Sequence, residues 1–567
     1  MNLAIPVISA IISTISVTIT EPVDGDTYEG DWLSLRVIVE NENELPDSVH
    51  YSLNGGVTTM VPRLNTDWYT YMGNNYHTGY SESPAPIDNT ILWTAEVTGD
   101  FHEFPTPVIV DGLVYYPQDS GGDSLFALDS TTGEVIWRYS VGSTDDAVTV
   151  SDGLLWISSD SLFCLNAQTG GRIWARGEAD GGGGSPVLAD GCVFAGRTEG
   201  FPDYTSFVSC FESSTGELLW TKMLSGGLVS CMTEYDGMLF VPTYAYQDST
   251  CLYALDAGTG DLVWESDSIY EGFWDSSPVI VDDVLYICDT NGNALGIDPQ
   301  TGDLIWINPL LQHEITATPA YHDNRLFFAP ESGPYYYCID AGSGSTIWSV
   351  DGHQHGSSGI AGGLVFYAEC FDTVSPDTSK IIAMDLETGS EIWSYSVPCQ
   401  SIQSSPAITD GIMYIAAPDW NLYAFGTGLK FTYLDDLYAS IGANELIVTS
   451  WFNGMPVAAD TINFNVTQTG IVLEPTGHLN LVVSPNPMQT SSSISFALDE
   501  SGFVSVRIYD LSGRVVSTLV NQELLAGVSS FQWDGYGDDG ELLCSGLYLC
   551  RIQYGGVVET TGLCLLR

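Results

Sequence analysis

Histidine and carboxylate residues recur in the short stretches that follow a series of tryptophans along the chain. They are His102 and Glu103, Asp145 and Asp146, Glu178 and Asp180, Trp274 and Asp275, His313 and Glu314, and His353 with His355. Four of the eight His of the chain lie in these stretches. Imidazole and carboxylate are the usual ligands of a cation, and an indole such as Trp274 offers a stacking face to a sugar or another planar group. The candidate ligand-binding residues are therefore His102, Glu103, Trp274, Asp275, His313, Glu314, His353 and His355. The plainer reading of the same residues, and the favoured one, is polar loop residues in water. The His353 and His355 pair, at strand-like spacing, puts two rings on one face but supplies only two ligands. No residue is assigned a catalytic role: no nucleophile elbow, zinc-protease helix, phosphate loop or identifiable Ser/His/Asp set occurs. With 72 acidic residues some carboxylate pair is close to inevitable, so a glycosidase-like pair stays open.

The elements that must position these residues repeat. Seven segments end in tryptophan after a Thr-Gly-type turn: LFALDSTTGEVIW at Trp137, LFCLNAQTGGRIW at Trp174, VSCFESSTGELLW at Trp220, LYALDAGTGDLVW at Trp264, NALGIDPQTGDLIW at Trp306, YYCIDAGSGSTIW at Trp348 and IIAMDLETGSEIW at Trp393. A Gly precedes each Trp by four residues and a small residue precedes it by ten. Each unit opens with an apolar run broken by a polar turn, as in TPVIVDGLVYYP, GSPVLADGCVFAG, SSPVIVDDVLYIC and SSPAITDGIMYIA, with weaker copies near Asp146, Cys231, Ala317 and Ser357. Strand, Asp-Gly turn, strand, strand, Thr-Gly turn and strand, in units of roughly 43 residues, predict four-stranded propeller blades. Eight openings meet only seven complete endings, because the last unit stops at NLYAFGTG. The segment ILWTAEV around Trp93 is expected to supply the missing outer strand and close the ring. Trp93, Trp137, Trp174, Trp220, Trp264, Trp306, Trp348 and Trp393 are then a structural girdle between blades. Cys164, Cys210 and Cys338 occupy the small position and act as buried hydrophobes.

Charge narrows the function. The 567 residues carry 14 basic against 72 acidic side chains, a net charge of −58, which opposes nucleic acid and anionic membrane as partners. Charged residues at 15%, a hydrophobic share of 44% and 59 Gly describe a folded, turn-rich β-protein rather than acidic disorder. The acid suits a solvated surface in salty water or carboxylate sites for a divalent cation such as Ca²⁺. The twelve Cys show no CxxC and no adjacent pair, which argues against a metal framework or redox motif. Residues 1–16 read as an incomplete signal segment, apolar but without Lys or Arg, and no later apolar run is long enough to predict a transmembrane span.

On the Ala127 to Trp137 signature and its copies, the chain resembles the PQQ-like eight-bladed propellers over residues 91–428. That resemblance implies an all-β, eight-bladed propeller. The family includes quinone-dependent alcohol dehydrogenases, an outer-membrane assembly lipoprotein and many secreted binding propellers. Against a quinone cofactor stands the lack of the dehydrogenases' vicinal Cys-Cys, and the lipoprotein's lipidated Cys is not seen either. From His478 onward, Pro485-Asn486-Pro487, Tyr509-Asp510-Leu511-Ser512-Gly513-Arg514, Trp533-Asp534-Gly535 and Ser545-Gly546-Leu547-Tyr548 resemble the C-terminal sorting domain of type IX secretion. That domain is related to the Ig-like domain of flagellar hook-capping proteins, and it implies export with the secretion machinery as a partner. In this domain Cys544 with Cys550 is a candidate disulfide, and Asp534, Asp538, Asp539 and Glu541 are candidate Ca²⁺ ligands or a plain turn.

The expected organisation is thus a signal segment (1–16), Ig-like strands (17–64), the propeller (65–428), further Ig-like strands (429–474) and the C-terminal Ig-like domain (475–567). The two flanking sets of Ig-like strands form either one sandwich split by the propeller or two partial modules. The expected function is a secreted or cell-surface, non-enzymatic scaffold that recognises an extracellular protein or glycan. The alternative is an enzyme at the channel mouth, either a quinone-dependent oxidoreductase or a carbohydrate-active enzyme.

Overall fold

The computed structural model describes residues 16–565 except for connecting stretches, chief among them 24–26, 42–47, 55–58, 98–104, 118–123, 178–183, 200–203, 245–251, 267–271, 310–313, 370–377, 468–481, 485–491, 510–514 and 538–542. Every described regular element is a β-strand. Among the described residues no helix is long and apolar enough to cross a membrane.

Eight sheets of four antiparallel strands form the propeller, the seventh extended at its inner edge by Tyr80–Ser81 in parallel with Gly359–Ala361. The first blade runs Val108–Val110, Leu113–Pro117, Ser124–Asp129 and Val135–Ser140, from the channel outward. Its inner hairpin turns on Asp111 and Gly112, both at positive φ (51° and 76°), as a type I′ turn requires and as Asp-Gly supplies. Its outer hairpin is built on Asp129, whose Oδ1 accepts from the N–H and hydroxyl of both Thr131 and Thr132. The repeated Asp-x-x-Thr-Gly is thus a side-chain-capped turn. In the eighth blade the outer strand is Ile91–Glu96, paired antiparallel with Asn421–Phe425 so that Trp93 faces Ala424. The N-terminal strand therefore closes the ring.

The small residue ten before each Trp sits directly across the strand pair from that Trp: Ala127 from Trp137, Cys164 from Trp174, Gly296 from Trp306. Contact with the indole explains its size. A Cβ built on Gly296 would lie 2.4 Å from the Trp306 ring. Cys164, Cys210 and Cys338 are buried free thiols.

Strands on both sides of the propeller make one two-sheet sandwich. Ser16–Glu21, Trp32–Asn41 and Leu429–Tyr438 form one sheet, and Thr27–Glu29, Met455–Thr467, Gly442–Phe452, Ser48–Leu53 and Thr59–Val61 the other. Leu35, Val37, Val39, Val49, Phe431, Leu446 and Val448 are buried between them. The strand Leu429–Tyr438 leaves the last blade directly into this sandwich, so the two termini of the propeller return to the same body.

Residues 469–567 form a separate compact unit. One sheet holds Val482–Ser484, Ser492–Leu498 and Gly527–Trp533; the other holds Val515–Leu524, Gly502–Tyr509, Gly546–Tyr554 and Val557–Leu565. Ile494, Phe496, Val504, Val506, Ile508, Trp533 and Ile552 make its core. Cys550 is a buried free thiol there, whereas Cys544, Asp538, Asp539 and Glu541 lie outside the described residues. The Asp534 carboxylate accepts the Tyr536 N–H, as a turn aspartate does.

Candidate functional site at the channel mouth

The central channel is not open through the disc. Residues 66–79, between the sandwich and the closing strand, reach the inner strand of every blade. Trp68 exchanges two backbone hydrogen bonds with Ile109 (2.9 and 2.8 Å), and the carbonyls of Tyr69, Tyr76, Thr78 and Gly79 accept the N–H of Val150, Ile280, Tyr321 and Ile360. Asn75 Nδ2 donates to the Leu188 carbonyl, His77 Nδ1 meets Thr233 Oγ1 at 2.9 Å, and Thr66 Oγ1 meets Thr409 Oγ1 at 3.0 Å. Trp68, Met72 and His77 are buried. This segment is a plug, and one chain segment thereby touches all eight blades.

Over the plug lies a cavity of about 140 Å³. Its wall is made by the residues just before the inner strand of each blade, including Thr106, Asp146, Ser185, Ser230, Asp275, Thr316, His355 and Gln403, with Tyr71 of the plug also lining it. The Tyr71 hydroxyl donates to Thr318 Oγ1 (3.1 Å) and bonds Ser357 Oγ (3.0 Å). Burial pushes the Tyr71 phenol well above its usual range, so it stays neutral.

A chain of inter-blade hydrogen bonds holds this wall. The N–H of Ser185 donates to Cys231 Sγ (3.3 Å), that of Cys231 to Ser277 Oγ (3.0 Å), Ser277 to Thr318 Oγ1 (2.8 Å), Thr318 to Ser357 Oγ (2.9 Å) and Ser357 to Ser405 Oγ (2.9 Å). Each blade presents the same position to its neighbour, and Ala147 at that position has no acceptor to offer. These hydroxyls were not among the candidate residues. Their signal was present in the Ser-Pro and Thr-Pro openings, which read only as strand starts.

Of the candidates, Asp275 and His355 line the cavity. Asp275 adopts φ 57°, a left-handed conformation in a loop between blades rather than in a hairpin turn. His355 is 3.6 Å from Glu331, yet burial lowers its pKa against that carboxylate's pull, so the ring is neutral near pH 7. Gln354 forms a β-bridge to Glu369 and is fully buried, which aims its two neighbours away from it; only His355 reaches the cavity wall. Glu314 is exposed, its pKa raised by burial of part of the carboxyl and by Glu331. Trp274 packs edge-on against Tyr244 (4.6 Å, 85°) and does not line the cavity. His102, Glu103, Asp145, Glu178, Asp180 and His313 lie outside the described residues. Cys231, which lines the wall, is no nucleophile: burial first, and Asp146 second, push its thiol up to about 12. Among the described residues no group of three or more His, Cys, Asp and Glu is arranged to hold a metal ion.

Eight four-stranded blades, a strand from the N-terminal side closing the last one and a polar mouth above a plugged channel define an eight-bladed propeller of the PQQ-like class. More particularly, residues 85–163, 158–395 and 336–429 match the family model described as outer membrane protein assembly factor BamB, and the chain belongs to that family. Residues 486–556 match the FlgD Ig-like domain. The chain is similar to a tetrathionate hydrolase of Acidithiobacillus ferrooxidans, 25% identical over 42% of this chain and 54% of the relative. It is similar to the outer membrane protein assembly factor BamB of Yersinia pestis, 22% identical over 60% of this chain and 91% of the relative. A third relative is the dehydrogenase subunit of a quinone alcohol dehydrogenase of Komagataeibacter europaeus, 23% identical over 50% of this chain and 45% of the relative. The chain thus spans about half the length of the hydrolase and of the dehydrogenase subunit. Among solved structures, the quinohemoprotein alcohol dehydrogenase of Comamonas testosteroni superposes with a TM-score of 0.52 at 16% identity, covering 65% of this chain and 80% of that one, a likeness of fold.

One of these relatives is named as a quinone alcohol dehydrogenase. PQQ is a planar tricarboxylate. The described wall of the cavity has Asp146 and Asp275 but no Lys or Arg, and the chain has no adjacent cysteines. Carboxylates facing a tri-anion in a partly desolvated cavity repel it. The described residues of the wall do not fit that cofactor.

Proposed function

We propose that the protein is a non-enzymatic recognition propeller acting outside the cytoplasm, with its ligand held at the channel mouth. The observation that carries this reading is the wall itself: loop ends fixed to one another by hydrogen bonds across five blade junctions, over a floor that is tied to every blade. A site preorganised in this way binds without having to order its loops first. The relatives named as assembly factors support a binding role, and the FlgD-type domain supports export through its secretion machinery to the cell surface. In this reading the net charge of −58 keeps the protein soluble and directs it to neutral or cationic partners.

The test compares the full chain with Asp275→Asn by thermal shift against PQQ with Ca²⁺, Ca²⁺ alone and a glycan and peptide panel, alongside a dye-linked alcohol oxidation assay. Stabilisation by a panel member, lost in the variant and without turnover, is the expected result. Alcohol oxidation that depends on PQQ and disappears with Asp275→Asn overturns the reading. Export is checked by secreting a reporter fused to residues 469–567; retention of the reporter inside the cell removes that part of it.

A further inference from the structure

Two hydroxyls in the mouth are buried without a partner. Ser230 is 4% and Thr316 3% exposed, both line the cavity, and neither Ser230 Oγ nor Thr316 Oγ1 makes a hydrogen bond. Buried hydroxyls in that condition cost stability unless something occupies them. They share the cavity with the carboxylates of Asp146 and Asp275. Tyr71 of the plug lines the same cavity as both carboxylates. The wall offers acceptors and negative charge, and its described part has no cationic side chain.

We propose that the mouth binds a primary ammonium group, with Asp146 and Asp275 supplying charge and Ser230 Oγ and Thr316 Oγ1 accepting its N–H bonds. The inference rests on the recognition reading above and names its ligand class. An ammonium carries three N–H donors on one compact charge and no acceptor, so it needs acceptors with a carboxylate among them. A divalent cation asks for more: Ca²⁺ takes six to eight oxygens, commonly from several carboxylates. The described residues bring two carboxylates and neutral hydroxyls to the cavity, which matches the ammonium better. Asp275 holds a left-handed φ of 57° at the cavity wall. The net charge of −58 favours a cationic over an anionic ligand.

The amine could be free or borne on a lysine side chain, and the experiment separates the two. The full chain is titrated calorimetrically at pH 7 in ~0.15 M NaCl, which screens the diffuse surface charge. The probes are n-butylammonium, N-acetyl-lysine methylamide, n-butanol and Ca²⁺. Both ammonium compounds are expected to bind and n-butanol is not; tighter binding of the lysine derivative assigns a peptide source, and tighter binding of butylammonium a free amine. Asp275→Asn and Thr316→Val are each expected to weaken binding by about tenfold or more. Asn tolerates the left-handed conformation at position 275, so the first variant keeps its fold, which an unchanged melting curve verifies. Equal binding of n-butanol, or ammonium affinity unchanged in both variants, overturns the proposal. Glycan binding that is lost in Asp275→Asn while ammonium fails to bind would overturn the ligand class and leave the recognition reading standing. Quinone-dependent turnover at Asp275 would remove both.

Discussion

The indole N–H of Trp393 donates to the carbonyl of Pro86, 3.1 Å away and 307 residues earlier in the chain. Elsewhere in the ring the same bond joins each blade to the turn of the next: Trp137 to Ala167, Trp174 to Ser213, Trp220 to Ala257, Trp264 to Pro299 and Trp306 to Ala341, at 2.8 to 3.1 Å. The last unit has lost its Thr-Gly turn, so the seventh blade takes its acceptor from the segment leading into the closing strand. Ring closure therefore uses a side-chain bond as well as the strand pairing around Trp93. The exception is Trp348, whose Nε1 is buried without a partner.

That contrast gives a first prediction. Trp393→Phe loses a buried hydrogen bond and leaves the Pro86 carbonyl unpaired, whereas Trp348→Phe removes a donor that has none. Both lose some packing, but the first is expected to cost more by about 1 to 2 kcal/mol. Urea or thermal unfolding of the two variants side by side checks it; equal losses would mean that the closing bond adds nothing to stability.

The glycine four residues before each tryptophan gives a second. Gly170 adopts φ 67°, and a Cβ built on it would lie 2.6 Å from the ring of Trp137 in the preceding blade. Gly170→Ala therefore meets both a disfavoured backbone conformation and a ring that cannot move without opening the blade interface. A loss of about 2 kcal/mol or more is expected. Gly153→Ala is the control: it has positive φ (74°) but open space around its Cβ, so only the backbone part of the cost remains.

How much of this was legible follows from the physics of repetition. The Asp-x-x-Thr-Gly turn, the small residue opposite Trp and the Asp-Gly hairpin each satisfy a local rule eight or nearly eight times over, so their period exposes the blades. The plug does the reverse. Residues 66–79 meet the blades through a mixture of backbone carbonyls and side chains in no repeating order, and a segment with eight different neighbours has no period to read. The mouth fell between these cases. Its hydroxyls repeat, but which loop residues line the cavity does not follow from spacing: His353 and His355 share a face by alternation, yet only His355 lines the wall. The position of the loops was readable from the repeat order; the direction of their side chains needed the strands to be placed.

The plug also carries two titrating groups that pull stability in opposite directions. Asp67, half-buried and faced by Asp111 and Asp410, with Arg63 opposing them, has its carboxyl pushed up to about 6 from 3.8, partial desolvation being the largest cause. The folded state holds that proton longer than the unfolded chain, so stability from this group falls as pH rises from about 4 to 6. His77, buried against Pro278 and Thr233, is pushed down to about 4 from 6.5, so the unfolded chain binds its proton first and stability falls as pH drops from about 6.5 to 4. The two slopes cancel in part in the native protein. Melting temperatures across pH 4 to 7 should therefore rise more steeply with pH in Asp67→Asn and fall with pH in His77→Asn. Parallel profiles for all three proteins would show that neither group changes its protonation on unfolding.

Tyr71 joins the plug to the mouth, and its two hydroxyl contacts allow packing to be separated from bonding. Tyr71→Phe keeps the ring that seals the floor and removes the bonds to Thr318 and Ser357, whose hydroxyls still accept the N–H of Thr318's and Ser357's neighbours in the inter-blade chain. Its cost should stay at about 1 kcal/mol. Tyr71→Ala removes the ring as well and leaves a cavity beneath the mouth, for which about 3 to 5 kcal/mol is expected. Amide hydrogen exchange supplies the local readout. The N–H groups of Ser277, Thr318 and Ser357 should keep their protection in Tyr71→Phe and lose it in Tyr71→Ala, because water would enter through the floor and compete for the hydroxyl acceptors. If protection survives in Tyr71→Ala, the wall is held by the blades alone and the plug does not preorganise the site.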